Sequence, residues 1–298
     1  MVNCWQGSAE QSTAWRLTRL SFGTDRRHNQ DMTYELAFIG AGNMAEAIAR
    51  GIFSAGVLAP PRVVAADPSD QRLALFRNLG TAVSASNAEA AAGARTVVLS
   101  VKPQMLPAVL AEVGPVIAPT QLVVSIVAGV STAKIESALP AGARVIRAMP
   151  NTPMLVGMGA TALCRGACAT PDDLAAARRL FECASAVVDV QEAVMNTVTA
   201  VSGSGPAYFF YLVEHMIAAG TRLGLSPEQA RTLVYRTASG AARLLETSPE
   251  APAELRRRVT SPGGTTQAAI ELMESRGVGN AIQQAVEAAE KRGRQLGG

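Results

Sequence analysis

Histidine and lysine are scarce in this chain: His28 and His215 are its two histidines, and Lys102, Lys134 and Lys291 its three lysines, among 298 residues. Few side chains can therefore exchange a proton near neutral pH. Reducing a ketone builds charge on oxygen and usually takes His, Lys or Tyr as the donor; this sequence is poor in the first two. His28 sits in a polar N-terminal stretch and His215 inside an apolar run, where a packed core histidine is expected. Cysteine is equally sparse. Cys4, Cys164, Cys168 and Cys183 form no C-x-x-C pair and have no neighbouring histidine. Disulfide scaffolding and a metal site are set aside in favour of buried free thiols in a reducing, cytoplasmic compartment. Charge is thin as well: 17% of residues are charged and the net charge of +3 is scattered, which leaves no footprint for nucleic acid. No apolar run reaches membrane-spanning length. Aromatics are 4% of a chain that is 48% hydrophobic, so the core should consist of Ala, Val and Leu, in a length that can hold two domains.

Residues 1–31 differ from the rest. They are polar, with Trp5 and Trp15 but no periodic apolar pattern. They lack the apolar centre of a signal peptide, and Glu10, Asp25 and Asp31 speak against a transit peptide. Met32 stands just before the first strand. Residues 1–31 therefore read as a disordered extension, with Met32 the natural start of translation or the extension a tail.

The chain is organised around residues 35–53, ELAFIGAGNMAEAIARGIF. Residues 36–39 form a short apolar run, Gly40-Ala41-Gly42-Asn43-Met44-Ala45 breaks it, and residues 44–53 carry apolar side chains at helical spacing. A strand, a glycine turn and a helix in that order are the context a G-x-G-x-x-A match requires. Gly40 permits the tight turn, Gly42 lets a pyrophosphate approach the backbone, and Ala45 lets the helix pack on the strand. The pyrophosphate would lie on the helix N-terminus, where unpaired N–H groups and the dipole favour an anion. A second strand over 62–66 ends at Asp67, where dinucleotide folds place an acidic residue against a ribose hydroxyl. That carboxylate favours NADH, while the nearby Arg72 keeps NADPH open. Asp67 also suits capping of the helix that begins at Ser69.

Beyond this unit, helices are expected over 71–79 and 87–92, with strands over 81–83, 96–101, 122–127 and 144–148. Residues 157–163 and 186–190, with a helix over 172–182 between them, extend the same sheet. Near-continuous Val/Ile/Leu runs separated by helices mark a parallel sheet covered on both faces. Ligands then lie beyond the carboxyl ends of the strands, and Gly40, Asp67, Lys102, Ala128 and Asn151 all fall there. From about residue 193 strands cease. Helices are expected from Gly205-Pro206 to residue 223, from Ser226 to 246, and over 254–258, 267–274 and 280–294. The stretch 206–223, PAYFFYLVEHMIAAGTRL, is too apolar to face water, and one hundred helical residues can hide it only in part. A subunit interface follows.

Between two of these helices lies Val259-Thr-Ser-Pro-Gly-Gly-Thr-Thr-Gln267, two glycines among four hydroxyls. A small ligand could approach its backbone, and a helix opening at Thr265 or Thr266 would favour a carboxylate. The same composition also suits plain helix capping. The stretch around it, PAELRRRVTSPGGTTQAAIELME over 252–274, resembles the signature of the pyrroline-5-carboxylate reductases. FIGAGNMA, VKPQ at Lys102, RAMPNTP over 147–153 and SGSGPAYFF over 202–210 occur in that family's order, and the likeness spans about residues 34–295.

That resemblance implies an α/β fold, a Rossmann-type dinucleotide-binding domain over 32–192 followed by an all-helical dimerisation and substrate domain over 193–298. It implies reduction of 1-pyrroline-5-carboxylate to L-proline with NADPH or NADH, the last step of proline biosynthesis. Ile39, Gly40, Ala41, Gly42, Asn43 and Met44 would hold the cofactor phosphates, and Asn87 would touch the adenosine end. Val101, Lys102, Pro103 and Ala128 would line the nicotinamide. Ser261, Gly263, Gly264, Thr265 and Thr266 would bind the substrate carboxylate, with the Thr266 hydroxyl near the ring nitrogen. Thr266 and Lys102 are the residues assigned to catalysis. The resemblance also implies a homodimer through intertwined helical domains, each subunit completing the other's site, and larger homo-oligomeric rings. Asp67 departs from the small or basic residue usual where NADPH is preferred.

The residue inventory agrees with this chemistry. A cyclic imine is basic enough to arrive protonated, so a hydroxyl-rich, acid-poor pocket can reduce it by positioning and electrostatics. A β-hydroxyacid dehydrogenase shares this domain order but relies on a lysine in the long helix after the linker, and 206–223 has none. A catalytically silent dinucleotide-binding regulator would have no reason to retain residues 261–266.

Overall fold

The computed structural model describes residues 32–297; the expectation for the N-terminal extension lies outside them. Eight strands form one sheet in the order β3-β2-β1-β4-β5-β6-β7-β8. They are β1 (Tyr34–Ile39), β2 (Val63–Ala66), β3 (Ala82–Ser84), β4 (Ala94–Leu99), β5 (Leu122–Ser125), β6 (Arg144–Met149), β7 (Gly159–Arg165) and β8 (Ser185–Asp189). The helices between them are α1 (Asn43–Ser54), α2 (Asp70–Asn78), α3 (Asn87–Ala92), α4 (Leu106–Val113), α5 (Thr132–Glu136) and α6 (Pro171–Phe181). One apolar cluster, built on Leu36, Phe38, Ile48 and Phe181, fills one face of the sheet. Another, built on Ile39, Val97, Leu110 and Ile135, fills the opposite face. Strands buried on both faces explain the uninterrupted apolar runs.

The sheet is not wholly parallel. β6 and β7 pair antiparallel, Arg147 opposite Cys164, whereas the other pairings run parallel. The link 150–158 is too short for the crossover that a parallel pair needs, so the chain turns straight back. Strand ends shift by one or two residues from the sequence expectation. One two-residue shift is at β4, which stops at Leu99 and leaves Ser100 and Val101 in the loop.

After β8 the described chain is helical: α7 (Met195–Val198), a π-helical turn over Thr199–Gly203, α8 (Gly205–Arg222), α9 (Pro227–Thr247), α10 (Pro252–Arg258), α11 (Thr265–Ser275) and α12 (Val278–Gly297). Pro206 occupies the first turn of α8, where its missing N–H costs nothing. Ser226 and Gln229 form a capping box that starts α9. Among its residues, only Gly205 of α8 is buried in the single chain. Phe209, Phe210 and Tyr211 are each about two-thirds exposed. His215 is exposed too and meets Tyr211 edge-on at 4.3 Å between ring centroids. The core histidine expected from the sequence is therefore a surface one, because the apolar run around it forms an uncovered face. No helix among the described residues is long and apolar enough to cross a membrane.

Candidate active site

The order of strands reverses between β1 and β4, where loops from the two strands diverge and open sheets leave a crevice for a ligand. Gly40 turns the chain there with φ 99°, and a Cβ on it would lie 2.7 Å from the Ser100 carbonyl oxygen, so both backbone conformation and space demand glycine. The Ser100 hydroxyl donates to the Gly40 carbonyl at 2.5 Å and to the Ile39 carbonyl at 3.1 Å, tying the turn to the end of β4. Gly42 is different. It is the N-cap of α1 with φ −70°, no side chain caps this helix end, and a Cβ on Gly42 would meet no atom within 4 Å. Nothing inside the protein requires glycine at that position. The open space and uncapped amides above Asn43 and Met44 are what a pyrophosphate needs. Ala45 is fully buried where α1 crosses the sheet.

Asp67 lies at the carboxyl end of β2, as expected, and its carboxylate reaches the glycine turn. One oxygen accepts the Ala41 N–H at 2.8 Å and the other accepts the Ser69 N–H at 2.9 Å. It does not cap α2 itself. Ser69 is the N-cap, and its hydroxyl accepts from Arg72. The Arg72 guanidinium donates to the Ala41 carbonyl at 2.5 Å and to Glu46 at 3.0 Å. Both backbone polar groups of residue Ala41 are thus held by side chains that follow β2. The sequence marked Asp67 and Arg72 for their charge. It gave no sign of these backbone bonds or of Ser100.

Asn87 opens α3, and its amide donates to Glu112 on α4 at 2.7 Å. Val101 is half-buried, and Lys102 is exposed as the N-cap of a short turn that begins at Pro103. Ala128 stands in the loop after β5, followed by Gly129 at φ 78°. These residues share the carboxyl side of the sheet. A cleft of about 520 Å³ opens beyond Pro103, between α4, α5 and the end of α12, but none of the glycine-turn residues lines it.

The hydroxyl-rich loop is elsewhere. Gly263 takes φ 69°, and its N–H donates to the Gln267 side chain at 2.7 Å. Gly264 is the N-cap of α11, and no side chain caps that end. The Thr265 and Thr266 hydroxyls are thus not cap groups, and the helix opens at Thr265 as the sequence suggested. Ser261 and Thr265 are exposed, and Thr266 is half-buried. The hydrogen bonds found for this loop stay within residues 256–271. Among the described residues, none joins it to Lys102 or Ala128.

Two further contacts were not visible in the sequence. Asn151, nine-tenths buried, donates through its amide to the Ser202 carbonyl of the π-helical turn at 3.1 Å and accepts the Ala160 N–H at 2.8 Å. Arg147, buried on β6, pairs with Glu192 at 2.6 Å. Burial pushes the Glu192 carboxyl up, but hydrogen bonds from Thr132 and Arg147, with the Arg147 charge, outweigh this and hold it below the usual range.

The comparisons agree on one family. Residues 192–296 match the family model described as pyrroline-5-carboxylate reductase dimerisation, and residues 35–129 match one described as NADP oxidoreductase, coenzyme F420-dependent. The pyrroline-5-carboxylate reductase of Pseudomonas aeruginosa is 45% identical, over 89% of this chain and 97% of its own. A solved pyrroline-5-carboxylate reductase from Coxiella burnetii superposes with a TM-score of 0.82 at 36% identity, covering 89% of this chain and 99% of that one. The Plasmodium falciparum pyrroline carboxylate reductase, solved with NADP bound, superposes at 0.81 with 29% identity over 90% of this chain and 100% of that one. This chain belongs to the pyrroline-5-carboxylate reductase family.

Proposed function

We infer that the protein reduces 1-pyrroline-5-carboxylate to L-proline by hydride transfer from NADPH or NADH. The observation that carries this reading is the glycine turn. Gly42 leaves its space free beside uncapped helix amides, and Asp67, Arg72 and Ser100 hold the turn rigid before any ligand arrives. The reduced nicotinamide supplies the hydride when bound. The chain's own work is to bind, orient and exclude water. Asn43 and Met44 present N–H groups to the phosphates, Asn87 borders the adenosine end, and Val101, Lys102, Pro103 and Ala128 flank the ring.

Substrate recognition falls to Ser261, Gly263, Gly264, Thr265 and Thr266. The N-terminus of α11 suits a carboxylate, and the Thr266 hydroxyl is placed one turn position on, where it can hydrogen-bond the ring nitrogen. An iminium arrives already protonated, so the scarcity of acid groups is no obstacle. Because no hydrogen bond among the described residues joins this loop to Lys102 or Ala128, we assign its counterpart to a second copy. The exposed apolar faces of α8 and α9 form the contact of a homodimer, with larger homo-oligomers built on it. The division into a cofactor domain up to residue 192 and a helical domain after it fits that arrangement, and the three described free thiols fit a reducing, cytoplasmic setting.

A steady-state assay of purified protein with 1-pyrroline-5-carboxylate and each cofactor tests the assignment. Oxidation of the cofactor with matching formation of proline is the expected result. Cofactor binding without substrate-dependent oxidation would move the protein to a dinucleotide-binding regulator.

A further inference from the structure

The motif over 147–153 was singled out in the sequence, and its first residue has no part in the reaction as described. Arg147 lies on β6 between Ser125, the last residue of β5, and Cys164 on β7. Its side chain is 4% exposed. One guanidinium nitrogen donates to Glu192 Oε1 at 2.6 Å, and the other terminal nitrogen is buried without a partner. The second oxygen of Glu192 accepts the Thr132 backbone N–H at 3.2 Å, with Cys164 Sγ 3.6 Å away. A buried guanidinium with an unpartnered donor, paired to a half-buried carboxylate, is a poor device for stability alone, since apolar replacements of equal volume often serve as well or better.

What the pair joins suggests its use. Glu192 begins the short turn that follows β8, where the chain leaves the sheet for the helical half. Thr132 is the first residue of α5, after the N-cap Ser131. Between β5 and α5 runs the loop with Ala128 and the left-handed Gly129. Its upstream end is fixed by the sheet. Its downstream end is packed through the buried Val130 and Ile135 and is bonded to Glu192 by both the backbone N–H and the side chain of Thr132, with Arg147 in turn holding Glu192 in place. We propose that Arg147 and Glu192 are positioning residues for hydride transfer: their ion pair anchors the loop that carries Ala128 to the start of the helical half, and so sets where the nicotinamide ring rests. This rests on the reading of Ala128 as a wall of the nicotinamide site.

The sharpest test is Thr132→Pro. Position 132 is the first residue of the helix, where proline is favoured, and Ser131 is extended at φ −75°, ψ 157°, as a residue before proline must be. This variant deletes both the N–H and the hydroxyl that bond Glu192, while the backbone conformation remains one proline can adopt. It should melt within a few degrees of the unchanged protein and bind NADPH with a Kd within about threefold. Its kcat should fall about tenfold, and the isotope effect with 4-deuterated NADPH should rise, because a small misplacement of the ring slows the hydride step itself. A second variant, Arg147→Met with Glu192→Leu, replaces the pair by apolar side chains and should show the same split of kcat from cofactor binding. Unchanged kcat and isotope effect in either folded variant would overturn the proposal, as would a loss explained entirely by weaker NADPH binding. If the unchanged protein does not oxidise NADPH with pyrroline-5-carboxylate, the functional reading has failed instead, which these comparisons between variants would not be needed to show.

Discussion

The Asp67 carboxylate accepts the Ala41 N–H at 2.8 Å, so the acidic residue after β2 braces the glycine turn. Its other oxygen is taken by Ser69. The residue therefore has two effects to separate: it holds the turn, and it places a negative charge where a 2′-phosphate would lie. Asp67→Ser removes both. Loss of a hydrogen bond to a charged group costs about 1.5–3 kcal/mol, so kcat/KM should fall with both cofactors, and it should fall less with NADPH because the repulsion disappears. Steady-state kinetics with the two cofactors measure this. An unchanged NADPH to NADH ratio would make Asp67 a brace alone.

Gly40 and Gly42 carry opposite expectations. Alanine at 40 must adopt φ 99° and meet the Ser100 oxygen at 2.7 Å. Strain of this kind costs on the order of 1–3 kcal/mol before the clash is added, so Gly40→Ala should lower the melting temperature by several degrees. Alanine at 42 has an ordinary backbone and open space. Gly42→Ala should melt like the unchanged protein yet bind NADPH at least tenfold more weakly. A thermal scan and a fluorescence titration on both variants check the contrast.

The three described thiols should react in a fixed order. Cys168 is exposed. Burial pushes the Cys183 thiol up to about 11. Burial, then the neighbouring Glu192 charge, pushes Cys164 up to about 12. Thiolate is the nucleophile, so raised values mean little of it at pH 8. Brief alkylation at pH 8 should label Cys168 first, and raising the pH towards 10 should bring in Cys183 before Cys164. Peptide mapping by mass spectrometry reads the order.

Much of this fold could be read from the sequence, because its elements carry local signals. α3 runs from Asn87 to Ala92, the bounds the sequence suggests, with Ser86 as its cap. The strands show as apolar runs, and all five loop positions expected at their carboxyl ends lie there. What escaped depended on partners distant in sequence. α4 has no counterpart among the sequence expectations; its Pro107 lies in the first turn, where proline fits a helix. The direction of β7 was left unread, and the exposure of His215 depends on which face of α8 is covered. The bonds of Asp67, Ser100, Arg147 and Asn151 each join segments that no spacing rule connects. In the loop 261–266, residue types alone left capping and ligand binding equally open.

Assembly follows from the uncovered face of the helical half. Phe209, Phe210 and Tyr211 on α8, with Leu233, Tyr235 and Leu244 on α9, are exposed by half or more of their surface. An apolar patch of this size is a partner site. Light scattering should find at least a dimer at micromolar concentration. Phe210→Asp should shift it towards monomer and remove activity with it, because the substrate loop would lose the site it completes. A stable, active monomer would refute both points.

The role of Thr266 is the most exposed assignment. Its hydroxyl is free of capping duty, since Gly264 is the N-cap of α11 and no side chain caps that end. Thr266→Ala keeps the Cβ at the helix start and deletes only the hydroxyl and a methyl group, so stability should change little. If the hydroxyl hydrogen-bonds the substrate nitrogen, it turns the C=N face towards the hydride, and its loss should cost about 1.5–3 kcal/mol. That corresponds to roughly a ten- to hundredfold drop in turnover efficiency. With the nucleotide expected at the carboxyl ends of the strands, the NADPH Kd should hold while kcat falls. Thr265→Ala is the control, because Thr265 is expected to contribute its backbone. Equal losses in both variants, tracking a lower melting temperature, would return the two threonines to a structural role, and full activity in Thr266→Ala would remove it from the reaction while leaving the enzyme class intact.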